Sequence, residues 1–364
     1  MSVAIPLPSA EGFDQGHRLT LDFECLRSIP EGINEVRVWR SELLGCDLVG
    51  KRMDISFLED DVLPEARTLM SIDHRNVVPI RTAAIVSGYP SPMRVIEIIT
   101  PYYPRGSITD ALLRGEHFRC REAVAIVQAT LRGLAELHEV HGIVHRDMKS
   151  GNVLLTSDGS VARVADLGLA GRMNARGEVN ALQNPTLYTP PEHFARGTLG
   201  RESDIYPMSL ILRELIGGAF PYESYSTTTV VDRLARQVNP VAKVDRVLPV
   251  WTPRDLRRVI TKAGRQDRLD RYRSAREMDQ ALAHACVADW EEVEPSRWEA
   301  PIFHRPGELV RVDSRPALGG GLRMSVRCYR TAWRRVRPDE IVESLDSAAA
   351  RRVFDSATTI SAAR

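Results

Sequence analysis

The sequence predicts an α+β chain in which a small strand-rich lobe precedes a larger helical lobe, with a short β-hairpin and helix added at the C-terminal side. Three observations carry this. Short β-type runs dominate from Phe23 to Ile99, the periodicity turns helical after residue 106, and strict alternation returns after Trp290.

Residues 1–18 hold prolines and small residues without periodicity and are expected to form a flexible extension. Strand-like runs follow at Val36-Arg37-Val38-Trp39 and Val95-Ile96-Glu97-Ile98-Ile99. Between them, Pro64 to Met70 reads as a helix, since proline is tolerated in a first turn whose N–H would be unpaired anyway. Ala123, Ile126, Val127, Leu131, Leu134 and Leu137 recur at helical spacing, predicting a long amphipathic helix that ends before Gly142. Further helices are expected at 204–217, with Pro207 interrupting, at 253–264 and at 274–287. Leu309 to Val312 and Leu322 to Cys328 alternate around Gly319-Gly320-Gly321, a hairpin signal with one apolar face. A last helix is expected from Pro338 to about Val353.

Composition is that of an ordinary globular chain: 364 residues, 43% apolar, 27% charged, net charge +1. Such a balance gives no global attraction to nucleic acid or anionic membrane. No apolar run approaches a membrane span, and Cys25, Cys46, Cys120, Cys286 and Cys328 form no CxxC, so a cytoplasmic chain is expected. The cations are skewed. Only Lys51, Lys149, Lys243 and Lys262 are lysine among 49 basic residues, and a lysine kept against that background marks a place suited to a compact ammonium.

The most informative stretch is His145-Arg146-Asp147-Met148-Lys149-Ser150-Gly151-Asn152, followed by Asp166-Leu167-Gly168. Asp147 offers a base for a hydroxyl, Lys149 a cation for a phosphoryl group, and Asn152 and Asp166 hard oxygen ligands suited to magnesium. Between the last two, Val153 to Ala165 reads as a hairpin that would return both to one mouth.

These residues resemble the catalytic core of the eukaryotic-type, bacterial-like serine/threonine protein kinase family, over roughly residues 20–287. The resemblance implies a bilobal protein kinase-like fold with a kinase domain at 19–287, its N-lobe at 19–100 and C-lobe at 104–287, and an accessory segment at 288–364. It implies ATP with magnesium or manganese, Asp147 as catalytic base, Lys149 on the γ-phosphate, and Asn152 and Asp166 as metal ligands. Lys51 in Leu48-Val49-Gly50-Lys51 would anchor the nucleotide with Glu65 as its ion-pair partner. Thr100 would gate the pocket behind adenine, and backbone groups of Pro101 and Tyr103 would read the base. By the same resemblance His145, Arg146, Asp204 and a Glu192–Arg271 pair are structural, while Thr186 and Thr189 are the candidate phosphoacceptors.

Function stays open among three readings. The first is a serine/threonine protein kinase acting on protein hydroxyls, self-associating to autophosphorylate. The second is a nucleotide-binding scaffold without transfer, and the third a kinase of small molecules. The arginines between Pro301 and Arg337 suit a solvated or kinase-docking face better than a nucleic-acid surface. One departure from the family bears on the first two readings. The nucleotide loop, Ile29 to Trp39, retains only Gly32, and Pro30 removes an amide donor from it. ATP is therefore expected to bind more weakly than to a glycine-rich relative, or in a differently organised way, and an equilibrium titration of the two proteins side by side that shows equal affinity would count against this.

Overall fold

The computed structural model describes residues 27–31, 34–56, 69–86, 89, 92, 94–159, 161–182 and 185–362, with side chains described from Val36 onward. Gly32, Glu65 and the expected helix up to Thr68 lie outside these residues, as does the N-terminal extension. The chain divides into two units, 1–74 with 78–104 and 75–77 with 105–364.

The first unit holds one antiparallel sheet. Its strands are β1 (Arg27–Glu31), β2 (Asn34–Ser41), β3 (Cys46–Asp54), β4 (Thr82–Val86) and β5 (Val95–Pro101), in the order β1-β2-β3-β5-β4. Alternation sends Trp39, Leu48 and Ile99 into one buried cluster. Lys51 stands on the central strand, in register with Val36 on one side and Ile98 on the other.

The second unit begins its helical part with α1 (Ile108–Leu113), where Ser107 and Asp110 form a reciprocal capping box. The long amphipathic helix is α2 (Cys120–Ala135), continued by a π-helical turn to Val140. A Cβ on Gly133 would run into the carbonyl oxygen of Asn76, so only glycine lets that backbone lie against α2. Asn76 uses the proximity: its side chain donates to the Ala162 carbonyl at 2.9 Å and its own carbonyl accepts from Val164 N–H at 2.8 Å.

Short strands β6 (Ile143–Val144), β7 (Val153–Leu155), β8 (Ala162–Val164), β9 (Gly171–Arg172), β10 (Val179–Asn180) and β11 (Thr198–Leu199) pair as β6-β9, β7-β8 and β10-β11. Then come α3 (Glu192–Arg196), α4 (Arg201–Gly217), α5 (Thr227–Ala235), α6 (Arg254–Ala263) and α7 (Ala275–Ala283). Pro207 does not interrupt its helix. It lies inside α4, whose residues from Ser203 to Leu212 are all buried, and that burial outweighs one missing amide donor. The helix expected at 274–287 stops at Ala283, and His284 caps it.

The expected C-terminal hairpin is present as β14 (Leu309–Pro316) and β15 (Leu322–Tyr329), and it is the centre of a larger sheet. With β12 (Glu291–Glu294), β13 (Arg297–Pro301), β16 (Trp333–Arg335) and β17 (Glu340–Val342) it forms six antiparallel strands. The last helix is α8 (Ala348–Ala362), not 338–353. Residues 340–342 are instead claimed by β15, in register with 322–324, and the helix starts where Ser347 accepts the Ala350 N–H at 3.1 Å.

Phe354 of α8 sits edge-on to Trp290 and Trp298, with ring centroids 5.4 and 5.3 Å away. Val250 and Trp251, outside the accessory segment, pack against the same core. Arg257 of α6 pairs with Asp355 of α8 at 2.6 Å, and the Arg121 N–H donates to Asp289 at 2.9 Å. The accessory segment is thus part of the second unit's core. Phe354→Ala should cost about 3–5 kcal/mol by opening a cavity there, read as a loss of unfolding free energy in denaturant titration of the full chain.

Candidate active site

The second unit brings six of the sequence-derived residues onto one frame. The frame is Asp204, on the first turn of α4 and 1% exposed. Its Oδ2 accepts from His138 Nε2 at 2.7 Å and from the His145 N–H at 2.8 Å, and its Oδ1 accepts from the Arg146 N–H at 3.0 Å. Burial works to raise this carboxyl, but the His138 hydrogen bond and charge outweigh it and hold the group below its ordinary 3.8.

Those bonds fix a backbone that otherwise resists its shape. Arg146 has φ +67° and Asp166 φ +59°, left-handed values that side-chain-bearing residues adopt at a cost. The Arg146 side chain then spends its donors on the segment that follows Asp166-Leu167-Gly168. Nε donates to the Leu169 carbonyl at 2.6 Å, Nη2 to Ala170 at 3.0 Å and Nη1 to Asn180 at 2.9 Å. Gly171 makes room for it, since a Cβ there would lie 2.8 Å from the guanidinium carbon. His145 Nε2 donates to the Ala165 carbonyl at 2.8 Å, so its Nδ1 is the acceptor for the Asp147 N–H at 3.3 Å.

Asp147 emerges from this frame with its side chain nearly buried. Lys149 Nζ lies 2.9 Å from Oδ2, and Asn152 Nδ2 donates to the same oxygen at 3.1 Å and to the Asp147 carbonyl at 2.6 Å. Because the Asn152 amide nitrogen is turned to Asp147, Oδ1 is the atom it could offer to a cation. The hairpin β7-β8 starts right after Asn152, and Ala165 N–H closes it on the Asn152 carbonyl at 2.9 Å. Asp166 follows immediately, so one carboxylate and one amide oxygen stand at the hairpin's open end. Two hard oxygen donors fit magnesium, which takes one or two protein oxygens and completes its shell with phosphate and water.

Arg271 forks onto Glu192 at 2.8 and 2.7 Å and also donates to the Arg265, Gln266 and Glu202 carbonyls. Burial would raise Glu192; Arg271 outweighs it and keeps the carboxyl below its ordinary 4.5. Thr189 is buried and its Oγ1 accepts the Thr186 N–H at 2.7 Å, whereas Thr186 is half-buried and accepts the Tyr188 N–H at 3.2 Å. Lys51, Thr100, Pro101 and Tyr103 belong to the first unit, and Glu65 and Gly32 lie outside the described residues.

Sequence reading missed a further buried carboxylate. Glu214 of α4 accepts from Ser150 Oγ and Tyr188 OH, both at 2.5 Å, from the Tyr222 hydroxyl and from the Phe220 N–H at 3.3 Å. Burial pushes its carboxyl up and the four donors pull against that shift. Ser150 adjoins Lys149, and Tyr188 adjoins Thr189, so Glu214 ties the two segments to one helix. The available signal was its place among Leu210, Ile211 and Leu215 on a helix buried all round.

Comparison with known proteins agrees with this geometry. The family model described as protein kinase domain matches residues 40–286, more than half of the chain. Serine/threonine-protein kinase PrkC of Bacillus subtilis (strain 168) is 28% identical over 292 residues, covering 75% of this chain and 42% of that protein. Serine/threonine-protein kinase 12 of Arabidopsis thaliana is 27% identical over 232 residues, 61% of this chain and 48% of that protein. The brassinosteroid LRR receptor kinase of Solanum lycopersicum is 34% identical over 171 residues, 44% of this chain and 13% of that protein. The chain therefore spans less than half the length of each of these relatives.

Two buried carboxylates with lowered values make stability acid-sensitive. A depressed carboxyl contributes fully above its unfolded value, and the contribution is lost as pH falls through the folded one. For Asp204 and Glu192 that loss starts at 3.8 and 4.5 and deepens below. Unfolding free energy measured from about pH 7 down to about pH 3 should drop in this window, less steeply in Asp204→Asn. Arg271→Ala should cost about 3–5 kcal/mol at neutral pH by leaving Glu192 buried and unpaired, again read by denaturant titration.

Proposed function

We propose that this chain, which belongs to the protein kinase family, is an ATP-dependent serine/threonine kinase that moves the γ-phosphoryl group onto a protein hydroxyl. The observation that carries the reading is the Asp147–Lys149–Asn152 cluster, intact and held on the Asp204 frame. Asp147 receives the proton of the attacking hydroxyl. Lys149 holds that carboxylate in place and offsets charge on the moving phosphoryl group. Asn152 Oδ1 and the Asp166 carboxylate would hold magnesium, which when bound supplies positive charge against the phosphates. Lys51, with Glu65 as partner, is assigned to the nucleotide phosphates, and Thr100, Pro101 and Tyr103 to the adenine side.

Serine or threonine as acceptor is supported by the relatives' printed names and by Lys149, whose position resembles that of serine/threonine kinases. Between the two candidate phosphoacceptors in the chain itself, Thr186 is favoured, because it is half-buried whereas Thr189 is buried. Autophosphorylation through self-association is part of the proposal. So is a cytoplasmic setting, which suits the unpaired thiols of the four described cysteines. No helix among the described residues is long and apolar enough to cross a membrane.

The test is transfer of label from γ-labelled ATP to a generic protein acceptor by the full chain with magnesium. Asp147→Asn and Asp166→Ala should each lower the rate by about 10²–10⁴-fold, the usual worth of a positioned base or charge clamp. ATP binding without transfer in the unsubstituted chain would favour the scaffold reading. Fast transfer to a small alcohol, with none to protein, would favour a small-molecule kinase.

A further inference from the structure

The accessory sheet carries a cavity of about 730 Å³ that the phosphoryl-transfer cluster does not use. It lies where β16 and its following loop meet the last turn of α8, with Ile302, Cys328 and Ile360 supplying apolar lining. Five arginines surround it: Arg305, Arg330, Arg334, Arg335 and Arg337. A single carboxylate, Glu308, serves two of them, Arg305 at 3.4 Å and Arg330 at 3.2 Å. Arg335 pairs with Asp339 at 3.3 Å, and Arg334 and Arg337 enter no ion pair among the described residues.

Arginine is the default cation of this chain, so numbers alone say little. Distribution says more. Residues 288–362 hold twelve acidic and twelve basic residues, a net charge of zero, yet the arginines are not spread evenly over it. Glu291, Glu292 and Glu294 lie on the β12 edge, and on the opposite edge the arginines gather around β16 while Asp339, Glu340 and Glu343 lie at and beside β17. Arg327 and Arg335 even face each other in register, an arrangement that costs stability between neighbouring strands. Charges on an edge strand deter stray pairing, but that purpose needs neither a cavity nor an apolar lining.

We propose that this cavity docks an extended peptide carrying phosphoserine or phosphothreonine. Several guanidinium groups around one recess match a phosphate dianion, whose three oxygens accept forked hydrogen bonds from arginine. Among the described residues the outer edge of β16 is unpaired, and it offers backbone groups to an added strand. Nucleic acid fits less well. No aromatic ring lines the cavity among the described residues, and the adjacent Trp333 is already engaged with Arg311 at 3.7 Å and with Tyr329 at 5.4 Å. The module's zero net charge also gives no broad attraction to a polyanion. This binding does not rest on catalysis by the same chain. It would bring an already phosphorylated protein to it.

The experiment is fluorescence anisotropy of the full chain with a labelled peptide pool degenerate around one fixed phosphothreonine. The same pool with threonine and a mixed-sequence oligonucleotide serve as the other probes. The phosphorylated pool should bind at least about tenfold more tightly than the threonine pool. Combined Arg334→Ala and Arg337→Ala, both at exposed positions, should remove that difference with the melting temperature unchanged, and Arg352→Ala on the exposed face of α8 should keep it. Equal binding of the two pools would overturn the proposal, as would a phosphate preference that survives the double substitution. Tighter binding of the oligonucleotide, lost in the double variant, would overturn it in favour of a nucleic-acid site.

Discussion

A buried carboxylate is costly unless every lone pair it turns inward finds a donor, and Asp204 is where this chain meets that condition. His138 and two consecutive backbone amides satisfy it. The exchange is mutual. The carboxylate gains its donors, and the backbone at Arg146 is held in a left-handed conformation it would otherwise leave. From that bend follow the direction of Asp147, the reach of Arg146 to three carbonyls beyond Gly168, and the nearness of Lys149 and Asn152 to one oxygen. The chemistry of the cluster is local, and its geometry is set from α4.

Glu214 extends the same principle: one buried carboxylate joins two segments to one helix. Ser150 and Tyr188 reach it from the stretch after Lys149 and from the stretch before Thr189, so α4 holds both through buried acids on its two halves. Arg271 and Glu192 do the same work one layer on, joining α3 to the turn before α7.

The parts legible in the sequence share one property: their residues are close along the chain or carry a pattern that is. Asp147, Lys149 and Asn152 span six positions, and a hairpin of alternating residues returns Asp166 to them, so spacing alone foretold the cluster. Strands β2 and β5 are readable as short strand-like runs, while β3 comes from the resemblance around Lys51. Glu214 was not legible, because the two segments it joins, at Tyr188 and Ser150, lie 26 and 64 residues away and each residue alone reads as an ordinary serine, tyrosine or glutamate. The helix expected at 338–353 failed for a related reason: pairing with 322–324 decides residues 340–342, and a local pattern does not see it. Pro207 was read by its intrinsic cost, whereas the packing around α4 decides. Gly32 and Glu65 lie outside the described residues, and the roles of Lys51 and the Thr100 to Tyr103 stretch are assigned by resemblance.

The placement of the tryptophans has an optical consequence. Trp290 and Trp298 flank Phe354, Trp251 packs against the same core, and Trp333 lies on the neighbouring edge, which leaves Trp39 as the fifth and the one in the first unit. Intrinsic emission from this chain is therefore dominated by the accessory sheet. A change in that signal on adding a ligand reports first on the sheet and its edge, and the Asp147–Lys149–Asn152 cluster, with no indole in it, stays dark.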